Sequence, residues 1–257
     1  MGSACILRPR ANVFNCMAHA RVYHQPVPPR TNLGDILANA ITHGIGCGLA
    51  VAGAVYLIAV SARGPVRLIV CCSIFAVSLV LVYLCSTLYH SLIRTRARHV
   101  LHVLDHASIY VLIAGTYTPF TLVSLRGPLG WILFAVVWSL ALAGVVFKSF
   151  AVGRYAVAST LVYLLQGWLV IFVVRSMLYA IGWHGMLWLG AGGAAYTLGV
   201  VFFAFDRLRY FHATWHIFVL AGSLAHYFAI LFYVVRPAIE NMGQSSIGTT
   251  FALSNFF

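Results

Sequence analysis

Charge is what this chain has least of. Only 8% of its 257 residues are Asp, Glu, Lys or Arg, and only Asp35, Asp105, Asp206 and Glu240 are acidic. A soluble domain carries roughly 25% charged residues, so a fold that faces water on all sides is excluded. Acids are also too scarce to neutralise the sixteen basic residues, and the net charge is +12. In a soluble protein that balance would point to nucleic acid. Here the basic residues sit in short joints between apolar runs, where they hold helix ends at lipid headgroups, and no nucleic-acid motif accompanies them. Paired cysteine spacing is missing too. Cys5 and Cys16 lie in a polar N-terminal stretch, whereas Cys47, Cys71, Cys72 and Cys85 lie in apolar runs. Neither a disulfide framework nor a structural zinc motif is spelled, and the four read as small buried hydrophobes.

What the chain does have is apolar length. It is 62% hydrophobic, with a mean hydropathy of +0.94. Seven runs approach the ~20 residues that cross a bilayer as a helix: Ile36 to Val60, Leu68 to His90, Leu104 to Ser124, Gly130 to Phe147, Tyr155 to Val174, Met186 to Phe205 and Thr214 to Val235. Short joints such as Arg63-Gly64-Pro65 and Arg126-Gly127-Pro128 leave no room for an inserted soluble domain. The expectation is an all-α membrane protein of seven transmembrane helices. Residues 1–32 form a polar basic N-terminal arm, 33–236 the transmembrane domain and 237–257 a polar C-terminal tail. Pro26, Pro28 and Pro29 argue against one helix in the arm. Its Arg-rich, acid-free composition overlaps that of an organelle transit peptide, but a cytosolic juxtamembrane arm on a plasma-membrane protein is favoured. Gly44, Gly46, Gly48, Gly192 and Gly193 are expected to let helices approach closely. Trp131, Trp183, Trp188 and Tyr210 are expected as interface anchors.

Loop charge orients the bundle. The N-terminal arm with the second, fourth and sixth joints carries eleven basic residues, Lys148 among them, and the opposite side carries five. The positive-inside bias puts the N-terminus in the cytosol and, with an odd number of spans, the C-terminus on the opposite side.

Orientation then fixes depth. His90 closes the second run, Asp105 opens the third, and His212 and His216 open the seventh beside Arg207 and Arg209; all four fall at the cytosolic side, as do Asp35, Asn39 and His43 of the first. His212 and His216, four residues apart, project within about 40° of each other on one helix face. Ionisable groups inside a membrane cost several kcal/mol unless paired, hydrated or bound to an ion. Zn²⁺ suits this set, because three imidazoles supply neutral nitrogen ligands and leave a position open for water. His90, His212 and His216 are assigned as metal ligands, and Asp105 as the group that holds or deprotonates that water. Ser86, one turn before His90, reaches the same region and can orient water or donate to a developing oxyanion. His226, ten residues past His216, is roughly 15 Å away along the axis, too far to share the ion, and is expected to hydrogen-bond between helices or line the cavity. His43 is a candidate for the shell behind the ligands, and His99, His102 and His106 read as interfacial or packing residues.

These residues also carry a resemblance. Ser86-Thr-Leu-Tyr-His90, the run from Leu104-Asp-His-Ala-Ser to Thr116-Tyr-Thr-Pro-Phe120, and His212-Ala-Thr-Trp-His216 are similar to the signature stretches of the haemolysin III family. That family belongs to the progestin and adipoQ (adiponectin) receptor superfamily. The likeness runs from about Leu33 to Arg236 and includes Asn39-Ala-Ile-Thr-His43. It implies a seven-helix fold with zinc near the cytosolic side, held by one histidine of the second helix and two of the seventh, which fall on His90, His212 and His216. The aspartate of the third helix falls on Asp105 and the serine on Ser86. Alkaline ceramidases belong to the wider group, so the implied chemistry is zinc-dependent hydrolysis of a lipid amide such as a ceramide-like substrate. The alternatives are a pore-forming cytolysin, after which the bacterial members are named, and a receptor or sensor in which zinc only clamps helices. One departure stands out: relatives carry a glutamate three or four residues before the asparagine of the first helix, where this chain has Asp35 and Ile36.

Overall fold

A computed structural model describes residues 32–152 and 155–244. The arm up to residue 31, with Cys5 and Cys16, and the tail from residue 245 lie outside the described residues. Within them every element is helical: α1 (Leu33–Ser61), α2 (Val66–Ser91), α3 (Arg98–Pro119), α4 (Gly127–Ala151), α5 (Ala156–Gly167), α6 (Val174–Ala204) and α7 (Phe211–Ile230). Among the described residues six helical segments are long and apolar enough to cross a membrane. Lipid offers the backbone no hydrogen-bond partner, so a spanning segment must satisfy its own N–H and C=O groups, as a helix does.

The helical segments Leu33–Ser61, Val66–Ser91, Arg98–Leu125, Gly127–Ala151 and Phe211–Gln244 run past their apolar stretches at both ends, since intrahelical bonding does not stop where apolarity stops. Pro65 stands at the N-cap of α2, and Pro128 sits in the first turn of α4, where its missing N–H costs nothing. Pro119 and Pro237 flank two π-helical stretches, Phe120–Leu125 and Leu231–Val235. A proline inside a helix deletes one bond and clashes with the carbonyl four residues back; for Pro237 that is Tyr233, inside the second stretch, where a widened turn absorbs the clash. After the second stretch the helix continues to Gln244, into the segment read as tail.

The fifth and sixth apolar runs form one segment, Val157–Ala204, interrupted by a 3-10 turn at Trp168–Val173 and by Gly182 at φ 69°, ψ 175°. The chain folds back there, because the Trp168 indole N–H donates to the Thr197 hydroxyl at 3.0 Å across the break. Glycine suits a φ that a side chain would disfavour.

More than half of the apolar window of α2 and of α3 is buried, so these two form the centre. α1 packs between α2 and α7, α4 lies on α3, and α6 lies on α7. Outward faces are apolar as well, as the exposed Ile41, Ile45 and Leu49 of α1 show. Polar bonds join helices in the middle: the Tyr83 hydroxyl donates to Ser223 Oγ at 2.8 Å, and Tyr196 Oη shares the same Oγ at 2.9 Å. Trp131, Trp183, Trp188 and Tyr210 are all exposed, as anchors require. Of the expected close-approach glycines, Gly46 lies against Tyr83 and Gly192 against His226, but Gly48 faces open space. Lys148, counted above as a loop charge, is 3% exposed at the end of α4 and donates from Nζ to Ser159 Oγ at 2.7 Å. Cys71, Cys72 and Cys85 are buried free thiols, and Cys47 is half-buried.

Candidate metal centre

Two helices bring the three imidazoles together at the end of the bundle that carries Arg94, Arg96, Arg98, Arg207 and Arg209. His90 is the penultimate residue of α2, and His212 and His216 lie one turn apart in the first two turns of α7. One nitrogen from each of the three rings lies within 4.8 Å of the others. Ring centroids are 5.0 Å apart for His90 and His212, 5.1 Å for His90 and His216, and 4.7 Å for His212 and His216, with planes inclined by 58° to 75°. Such imidazoles are not packed as a stack. His216 is 1% exposed, and Nε2 of His90 is buried with no hydrogen-bond partner. A buried, unpartnered lone pair or N–H is costly, and a cation held by neutral nitrogens removes that cost. The donor set fits zinc, which takes histidine nitrogens readily and keeps a fourth position free when three protein ligands bind it.

The start of α7 is itself fixed by α1. Tyr210, its N-cap, is left-handed at φ 63°, and its N–H donates to Asp35 Oδ1 at 2.9 Å. A bulky residue in that region is strained. The Asp35 carboxylate thereby secures the turn that delivers His212 and has a structural task here.

A cavity of about 250 Å³ opens beside the triad. Its polar end holds Ser86, Asp105, His43, His212 and His216. Ser86 is buried and lies beside the Asp105 carboxyl. The remaining wall is mainly apolar and runs along α3 as far as Phe120. Fifteen residues separate Asp105 from Phe120, roughly 22 Å of helix at 1.5 Å per residue.

Residues 36–227 match the profile of the family described as Haemolysin-III related. The chain belongs to the haemolysin III family. It is 46% identical over 203 residues to "Hemolysin-3" of Bacillus cereus, covering 79% of this chain and 93% of the relative. Against "Hemolysin-3 homolog" of Bacillus subtilis (strain 168) the identity is 47% over 201 residues, 78% of this chain and 94% of the relative. A more distant likeness, 33% over 176 residues, joins it to human "Monocyte to macrophage differentiation factor", covering 66% of this chain and 72% of that protein. The family match encloses His43, Ser86, His90, Asp105, His212 and His216, and begins one residue after Asp35.

Some residues of this haemolysin III site escape a reading of the sequence. Thr42 is the main one, since its hydroxyl meets Nδ1 of His216 at 3.0 Å. Its place directly before His43 was the available signal, but a helical threonine bonded to its own backbone looks the same in sequence. His43 lies flat against His216, with centroids 3.5 Å apart and planes 18° apart. His106, read as an interfacial or packing residue, lines the cavity; His226 lines it too, one of the two roles expected of it.

Proposed function

We propose that this haemolysin III chain is a zinc-dependent hydrolase of a lipid amide or ester, such as a ceramide-like amide. It crosses the membrane seven times, with the break at Gly182 separating the fifth and sixth crossings, and the site lies at the cytosolic side. The observation that carries this reading is the meeting of three inclined imidazoles with Asp105 and Ser86 at one polar end of a long apolar cavity. His90, His212 and His216 would hold the ion. Zinc supplies a Lewis acid that polarises a carbonyl and brings the pKa of water towards 7.

The chain's own residues do the rest. Asp105 accepts the proton of the attacking water and returns it to the leaving amine or alcohol. Ser86 donates its hydroxyl to the carbonyl oxygen as negative charge builds there. The apolar wall takes the acyl chain and excludes bulk water. Its length of about 22 Å exceeds the ~15 Å from one face of the hydrocarbon core to the midplane, so an extended lipid tail is accommodated.

Purified protein tests this directly: zinc content by elemental analysis, then mass spectrometry of lipid mixtures with and without chelator. Near-stoichiometric zinc and chelator-sensitive turnover that is lost in His212→Ala are expected. Stoichiometric zinc without turnover on any lipid would leave the receptor or sensor reading, and absence of zinc would end both. The names of the bacterial relatives favour a second reading, lysis. Leakage from loaded vesicles, undiminished in His212→Ala, would support it.

A further inference from the structure

α1 supplies none of the three triad imidazoles, yet consecutive residues of it hold one of them. Thr42 Oγ1 lies 3.0 Å from Nδ1 of His216, 2.8 Å from the Ala38 carbonyl oxygen and 3.1 Å from that of Asn39. His43 covers the flat face of the same ring. The ring is therefore held at its edge and on its face by neighbours in a different helix.

Counting protons gives the edge contact a direction. A hydroxyl has one proton to donate and lone pairs to accept with. Both carbonyls can only accept, so the Thr42 proton belongs to this carbonyl pair, with Ala38 the shorter contact. The bond to His216 must then run the other way, with Nδ1–H donating to Oγ1. A neutral imidazole carries a single N–H, which leaves Nε2 of His216 with its lone pair free. The reverse arrangement would turn the Thr42 proton away from two carbonyls already within bonding distance. A metal-binding imidazole needs this outer acceptor, since the partner of one nitrogen sets the tautomer and aims the other.

We propose that Thr42 is a positioning residue for the metal centre: it holds His216 as the Nδ1–H tautomer and so presents Nε2 towards His90 and His212. This rests on the reading of the triad as a zinc site. The role is specific to the hydroxyl. Valine has the same shape but cannot accept, and serine keeps the acceptor without the methyl group.

The test uses the full-length protein in detergent, as wild type, Thr42→Val and Thr42→Ser, with ¹⁵N-labelled histidine. Zinc affinity is read by competition with a chromogenic chelator, and the His216 tautomer by imidazole ¹⁵N shifts in the zinc-free protein. Thr42→Val is expected to bind zinc about 10- to 100-fold more weakly and Thr42→Ser to stay within about threefold of wild type, the span usual for loss or retention of such outer partners. The Nδ1–H signature should vanish in the valine variant and persist in the serine variant. Equal affinity in all three chains, or a serine variant as weak as the valine one, would overturn the proposal while leaving the zinc site standing. A wild type that takes up no zinc would bring down both. Should Thr42→Val fail to fold, Thr42→Ala removes the hydroxyl without adding bulk and carries the same expectation.

Discussion

Two glycines a half-turn apart in α1 give opposite forecasts for the same substitution. A Cβ on Gly46 would stand 2.7 Å from Cδ1 and 2.8 Å from Cε1 of Tyr83. The Tyr83 ring has nowhere to go. It is 1% exposed, its hydroxyl is bonded to Ser223, and it packs nearly perpendicular to the His43 ring with centroids 5.1 Å apart. Overpacking a filled interior costs about 1–3 kcal/mol, and losing the Tyr83 to Ser223 bond adds roughly 0.6 kcal/mol, the average for such bonds in a membrane. Gly46→Ala should therefore destabilise by about 2–4 kcal/mol. Gly48, on the exposed face, has nothing within 4 Å of its added Cβ. Gly48→Ala should stabilise by about 0.5 kcal/mol, because alanine restricts the unfolded chain without meeting any neighbour. The assay is equilibrium unfolding in mixed micelles by titration with a denaturing detergent, both variants against wild type. A Gly46→Ala protein as stable as Gly48→Ala would refute the α1 to α2 packing described here. It would also remove the contact chain by which Tyr83 supports His43 and, through it, His216.

Three further outcomes are expected. Asp35→Ala should lower stability by about 1 kcal/mol, the usual cost of losing a helix cap, with Asp35→Asn milder because an acceptor for the Tyr210 N–H survives; thermal unfolding in detergent checks both. Ser223→Ala leaves the Tyr83 and Tyr196 hydroxyls without their shared partner and should cost about 1–2 kcal/mol, read by the same unfolding titration, while zinc content stays at the wild-type level. Asp105→Asn should keep its zinc and lose about 10²- to 10⁴-fold in lipid turnover, the range for removing a general acid–base group, whereas wild-type turnover in this variant would take Asp105 out of the chemistry.

The class of molecule and much of the candidate site were legible in the order of residues along the chain. Apolar runs of membrane-spanning length, in a chain with four acids, leave no other architecture, and these properties are local. Residues four apart share a helix face wherever the helix goes, so His212 and His216 could be paired without a structure. Position along each run gave the depths of His90 and Asp105. Rotation of each helix about its own axis was not legible. A soluble helix announces its buried face by an apolar stripe, but lipid is as apolar as a protein core, and α1 is hydrophobic towards both. Only packing therefore decided that Gly46 touches Tyr83 while Gly48 faces outward. It also decided that Lys148 turns inward to Ser159, and that Asp35 reaches across to the Tyr210 turn. For the same reason Thr42, unremarkable in its own helix, came to rest on the edge of His216, and only packing laid His43, already a candidate for the shell behind the ligands, flat on its face.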